Sequence, residues 1–164
     1  MTKGSAYVAV VFTLLLGYFG YQWWFNPSRA VKQRLGEVAA ALSVPEGEAD
    51  LAHVARLARL RGYLADDLHV RAGAEEIRSR DTALAIAAGW KPLPGSGDVH
   101  FADVQVFIES ETAAHAYLAV ELMSIDKPTG QPTVDSRDAS VSLARKNGEW
   151  VITAAESKAM PGRP

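Results

Sequence analysis

The sequence predicts an α+β domain carried on one N-terminal transmembrane helix, and three observations predict it. Residues 4–28 hold no charged side chain. Residues 27–89 hold two amphipathic helical patterns and a third that is rich in alanine and leucine. From Val99 onward the apolar residues alternate with period two. Helices segregated from strands in this way pack on one face of a curved antiparallel sheet.

The uncharged stretch has a core of 20 residues, Ala6 to Phe25. A helix of that length spans roughly 30 Å, the thickness of the hydrocarbon layer. A secretory signal peptide has a shorter apolar core followed by a small-x-small cleavage site. Here the core runs into Gln22, Trp23, Trp24, Phe25, Asn26 and Pro27. Tyr21, Trp23, Trp24 and Phe25 suit an interfacial aromatic belt in contact with the lipid bilayer. Residues 1–26 are therefore expected to stay as an uncleaved anchor.

One face of the anchor carries Ser5, Ala9, Thr13 and Gly17 at every fourth position, with Gly20 close by. Such small-residue stripes let helices approach closely in lipid, so this face is expected to pack against another membrane helix. Lys3 precedes the span, and Arg29, Lys32 and Arg34 follow it. The positive-inside rule alone would hold the domain in the cytoplasm. Long domains translocate largely regardless of charge, however, and a short basic N-terminal flank is that of a signal anchor. The expected side is extracytoplasmic.

Beyond the anchor, ~135 residues suffice for one domain with one core. The net charge of −2 offers no basic footprint for nucleic acid. With no cysteine in the chain, thiol catalysis, disulfides and cysteine-ligated metals are excluded. Asn26 and Pro27 form a helix start, and Val31, Leu35, Val38 and Leu42 give an apolar face to about residue 43. A second helix is expected over 48–62, burying Leu51, Val54, Leu57 and Ala58, with His53, Arg56 and Arg59 on another side. A short strand over 63–70 and a turn over 73–76 follow. Ser79 to Asp81 cap a third helix, 82–89, and 90–97 form an irregular loop.

Four strands of an antiparallel meander are expected over 99–109, 113–125, 134–145 and 149–157. The first places His100, Ala102, Val104, Val106 and Ile108 on one face. The second places Ala116, Leu118, Val120 and Leu122 on one face, and the third Ala139, Val141 and Leu143 on one side. Asn147-Gly148 is a strong signal for a two-residue hairpin turn.

Three local patterns in this order carry a family resemblance. They are Tyr63-Leu64-Ala65-Asp66-Asp67, the segment from Ile77 to Leu84, and Asn147-Gly148-Glu149-Trp150-Val151-Ile152. Residues 30–157 resemble the NTF2-like (SnoaL-like) superfamily, with Ser79 where that pattern has glycine. The resemblance implies a cone: three helices packed on a curved sheet that encloses a pocket. The domain is thus expected over 27–158, with a tail at 159–164. The superfamily hosts isomerases, dehydratases and members without chemistry, so the fold supplies no function.

An active site in such a cone needs an acid or base in a dry pocket, with a partner that tunes it. The candidate polar residues are Tyr63, His69, His100, Asp135 and Arg137, with His115, Tyr117, Glu121 and Trp150 beside them. Asp135 and Arg137, two apart on a strand, suit a surface ion pair. The set His53, Arg56 and Arg59 is read first as a plain solvated helix face, with contact to acidic headgroups or to an acidic partner as the alternative. No two of the four histidines sit at metal-ligand spacing on one helix. Phosphate loops, nucleophile elbows and catalytic dyads at specific spacing are missing as well. The expected function is a non-catalytic, single-pass accessory subunit of a larger integral-membrane complex, without cofactor or metal. The alternative is an anchored small-ligand binder, or an isomerase or dehydratase using the cone.

Overall fold

Residue Asn26 breaks what would otherwise be one long helix. The computed structural model describes residues 3–157, and the side chains of residues 3–6 and of Trp24 lie outside the description. The side chains of Ser5 in the small-residue stripe and Trp24 in the aromatic belt are therefore outside the described set, as is the whole 159–164 tail. Helix α1 is Lys3–Trp24 and α2 is Pro27–Leu42. Between them Asn26 takes an extended conformation, and its side chain accepts a hydrogen bond from the Ser28 amide at 3.0 Å. Pro27 occupies the first helical turn, where its missing N–H costs nothing.

At 22 residues, α1 reaches about 33 Å. It is long and apolar enough to cross a membrane. Its apolar side chains point outward on every side, with Phe12, Leu14 and Phe19 all exposed. Helix α2 is amphipathic instead, and buries Val31, Leu35 and Val38 against the sheet. Its end is tied to the sheet by Ser43, whose hydroxyl accepts from the Val99 amide at 2.9 Å.

Helix α3 spans Asp50–Tyr63 and departs from expectation. Leu51 is 82% and Val54 61% exposed, while Arg56 is only 3% exposed. The inward face carries Arg56 and Leu60, with Leu57 and His53 half-buried. Apolar residues occur nearly all round this helix, so periodicity alone allows two orientations. The ion pair of Arg56 with Glu48 selects the one that was not expected.

The sheet has six strands: β1 (Leu64–Ala72), β2 (Glu75–Ile77), β3 (Val99–Ile108), β4 (Ala113–Ile125), β5 (Pro132–Lys146) and β6 (Glu149–Ser157). Helix α4 (Arg80–Gly89) lies between β2 and β3. The spatial order is β2-β1-β6-β5-β4-β3. β3 to β6 form the expected antiparallel meander, but β1 pairs with β6 in parallel. The sheet is therefore mixed rather than wholly antiparallel. The expected turn after the first strand is a hairpin at Gly73, with β2 as its return. Helix α4 and the loop after it then carry the chain to the opposite edge.

Strand β3 also corrects the expected pattern. A bulge interrupts its pairing between Ala102 and Gln105, and Asp103 takes a φ of 51° there. One extra residue reverses which side each side chain faces. Phe101 lies opposite Val120 on the inner face, and His100 opposite Glu121 on the outer one. The five residues expected on one face are therefore split: Val104, Val106 and Ile108 face inward, and His100 and Ala102 do not. A second irregularity between Ser142 and Leu143 lets Trp150, Ile152 and then Ala155 all join the core. The Asn147-Gly148 turn closes β5 and β6 with φ values of 52° and 82°, as the dipeptide predicts.

Candidate functional site

The three helices of the domain close over the inner face of the sheet and leave a cavity of about 270 Å³. Leu42 and Leu60 wall it from the helices; Leu68, Phe101, Val120 and Val141 wall it from the strands. Glu156 and Ser157 are the polar residues at its margin, and the Glu156 side chain is exposed. The wall derives directly from period-two alternation, since every second residue of β4 and β5 faces in and nearly all of these are apolar.

The expected site residues are not gathered in this cavity. Tyr63 is half-buried beside the core, and the Arg34 guanidinium lies 4.7 Å above its ring. His69 points to the outer face, where its Nε2 meets Glu76 Oε1. His100 is exposed on the same outer face. Asp135 and Arg137 do pair, Nη2 to Oδ2 at 3.2 Å, with both side chains more than half exposed. An exposed pair of that kind contributes under about 1 kcal/mol.

The outer face brings together residues from separate strands. His69, Arg71, His115, Ser142 and Glu156 surround an open depression of about 270 Å³. His115 Nδ1 lies 3.2 Å from Ser142 Oγ, and its ring meets Tyr117 edge-on at 4.7 Å. Glu76 draws Arg78 at 2.7 Å and Arg71 at 3.7 Å. The Arg78 hydrogen bond, and then that of His69, lowers the Glu76 carboxyl to about 2. Glu76 is thus a fixed anion at neutral pH and a poor proton carrier. Among the described residues, no group of three or more histidine, aspartate or glutamate side chains is placed to hold a metal ion.

One polar cluster went unread in the sequence. Arg56 holds Glu48 with two hydrogen bonds, Nε to Oε1 at 2.8 Å and Nη2 to Oε2 at 3.2 Å. Its Nη1 donates to the Ala41 carbonyl at 2.9 Å. His53 Nδ1 lies 3.0 Å from Glu48 Oε2. The Arg56 hydrogen bond keeps the Glu48 carboxyl below its ordinary range, against the opposing effect of burial. His53 and Arg56 are therefore structural, and only Arg59 of that set is free on the exposed face. A glutamate just ahead of a helix, with His and Arg one turn apart within it, was the available signal.

No family model and no curated protein matches the chain by sequence. Solved structures do match. An NTF2-like protein with a cystatin-like fold from Novosphingobium aromaticivorans superposes with a TM-score of 0.65 at 14% identity, covering 90% of this chain and 92% of its own. A putative scytalone dehydratase from the same organism gives 0.63 at 15% identity, over 79% of this chain and 81% of its own. The Chlamydomonas reinhardtii CamKII hub homology domain gives 0.64 at 11% identity, over 82% and 98%. Identities this low speak to architecture alone. The architecture of helices α2 to α4 on a curved mixed sheet is the NTF2-like, cystatin-like fold.

Proposed function

We propose that the chain is a single-pass membrane protein whose extracytoplasmic NTF2-like domain is a non-catalytic accessory subunit of a larger integral-membrane complex. The observation that carries the reading is the mismatch between the cone and its polar residues. Proton-transfer chemistry calls for an acid or base held dry beside the substrate. Here the enclosed space is walled by leucine, valine and phenylalanine, and His69, His100, Asp135 and Arg137 all lie outside it. The anchor supports the same reading. Thr13 donates its hydroxyl to the Ala9 carbonyl at 2.9 Å, so the stripe presents little polarity to a partner. A Cβ placed on Gly17 or Gly20 meets nothing within 4 Å, so that face is open to a neighbouring helix.

The test uses cells whose phenotype depends on the gene. His100→Ala and Asp135→Asn are expected to leave the phenotype and protein abundance unchanged. Loss of function in either variant, with fold and membrane location intact, would contradict the reading. The cavity favours a second reading, in which the cone holds a small apolar ligand. An apolar site of about 270 Å³ falls just under the usual range for small-molecule pockets. Native mass spectrometry of the purified chain, showing a mass addition that Val141→Phe removes, would favour ligand binding over the accessory role.

A further inference from the structure

A notch opens where the anchor meets the domain, between the end of α1, the start of α2 and the β5–β6 hairpin. Its volume is about 650 Å³. Tyr21 and Phe25 form one wall, with ring centroids 4.7 Å apart. Arg29 stands on a second wall, and Arg145 with the buried Trp150 closes the third. No aspartate or glutamate lines it among the described residues. Neither arginine has a carboxylate partner among the described residues. Arg29 lies 5.4 Å from the centroid of the Trp23 ring, and Arg145 donates Nε to the Gly148 carbonyl at 3.2 Å. This differs from Arg34 nearby, which is paired with Glu37 at 2.9 Å.

The depth of the notch matches this charge. If α1 spans the bilayer, Tyr21, Trp23 and Phe25 lie at the interface. Arg29 is four residues past Phe25, in the first turn of α2 beyond the break at Asn26, so it lies within about 14 Å of the belt. That reach takes in the layer of the lipid phosphates. An arginine fork without a carboxylate partner, facing an acid-free notch, suits a phosphate oxygen. The apolar wall of Tyr21 and Phe25 suits the glycerol backbone and first methylenes beneath it.

We propose that this notch is a binding site for the phosphate of an anionic phospholipid, held between Arg29 and Arg145. The proposal rests on the membrane-anchor reading above. The site would fix the domain's tilt on the membrane surface, because one lipid would bridge anchor and hairpin.

The full-length chain in nanodiscs of equimolar phosphatidylglycerol and phosphatidylcholine provides the test, read by native mass spectrometry of retained lipid. The wild type is expected to retain phosphatidylglycerol preferentially. Arg29→Gln and Arg145→Gln are each expected to reduce that preference about fivefold, while Arg59→Gln on the exposed side of α3 leaves it unchanged. Arg29→Gln lies on an exposed helix face, so it keeps the test open if the hairpin variant misfolds. Equal retention of both lipids by the wild type, or an unchanged preference in Arg29→Gln, would overturn the site. A detergent-solubilised chain stabilised by inorganic phosphate, with no lipid preference, would also overturn the lipid assignment. Failure of the anchor itself is read separately, as release from vesicles by alkaline carbonate.

Discussion

Arg56 illustrates how one residue can set the orientation of a helix. Its guanidinium is removed from water and met by both oxygens of Glu48 and by the Ala41 carbonyl. A buried pair of this kind adds little net stability, but losing one partner strands the other. Arg56→Met is therefore expected to destabilise the domain by about 3–5 kcal/mol. The double variant Glu48→Gln/Arg56→Met should recover much of that loss; denaturant melts of the three proteins measure it. The pair also predicts an acid response. Glu48 has a folded pKa below its ordinary value of 4.5. Its contribution is thus complete above about pH 4.5 and is lost as pH falls through the lowered folded value. The slope of stability against pH in that acid window should be shallower in Glu48→Gln than in the wild type. An identical slope would remove Glu48 from the account.

At the scale of elements, the sequence was most legible where one face is buried and the turn is local. Strands β4 and β5, and the Asn147-Gly148 hairpin between β5 and β6, follow period-two alternation and turn chemistry directly. The misreadings have three physical sources. In β3 the bulge at Asp103 shifts the alternation, and no glycine or proline marks it. In α3 the helical period was right, but the facing was set by Glu48, eight residues from Arg56 and outside the helix. Parallel pairing of β1 with β6 joins residues far apart in sequence, such as Val70 and Ala155, so no local pattern announces it. For the site, residue types were readable but enclosure was not. His100 is turned away from the inner face by the bulge in β3, and His69 follows a separate irregularity in the β1–β6 pairing between Leu64 and His69.

Two element-scale predictions follow from this packing. Leu51→Gln and Val54→Gln should change stability by no more than about 0.5 kcal/mol, since neither side chain is covered. Trp150→Ala should cost about 3–5 kcal/mol, because Trp150 is 5% exposed and joins the core beside α2. Thermal or denaturant unfolding of purified variants distinguishes the two classes. Large losses at Leu51 and Val54 would mean that α3 is buried on its apolar side after all.

In the whole molecule an exposed apolar helix is joined to a domain whose enclosed space is apolar. A helix with Phe12, Leu14, Leu16 and Phe19 all exposed is at home in lipid or against other helices, not in water. The small stripe at Ala9, Thr13 and Gly17 gives that helix a side suited to close approach. Ala9→Leu and Gly17→Leu add bulk there while keeping the span apolar, so insertion should persist and partner packing should not. The most direct measurement is mild-detergent extraction of native membranes, followed by mass spectrometry of the native-gel band that contains the chain. The account predicts a band well above the 17.7 kDa of one chain, holding an integral-membrane partner that both leucine variants lose. A chain that migrates alone, or that keeps the same partner in both variants, would contradict it.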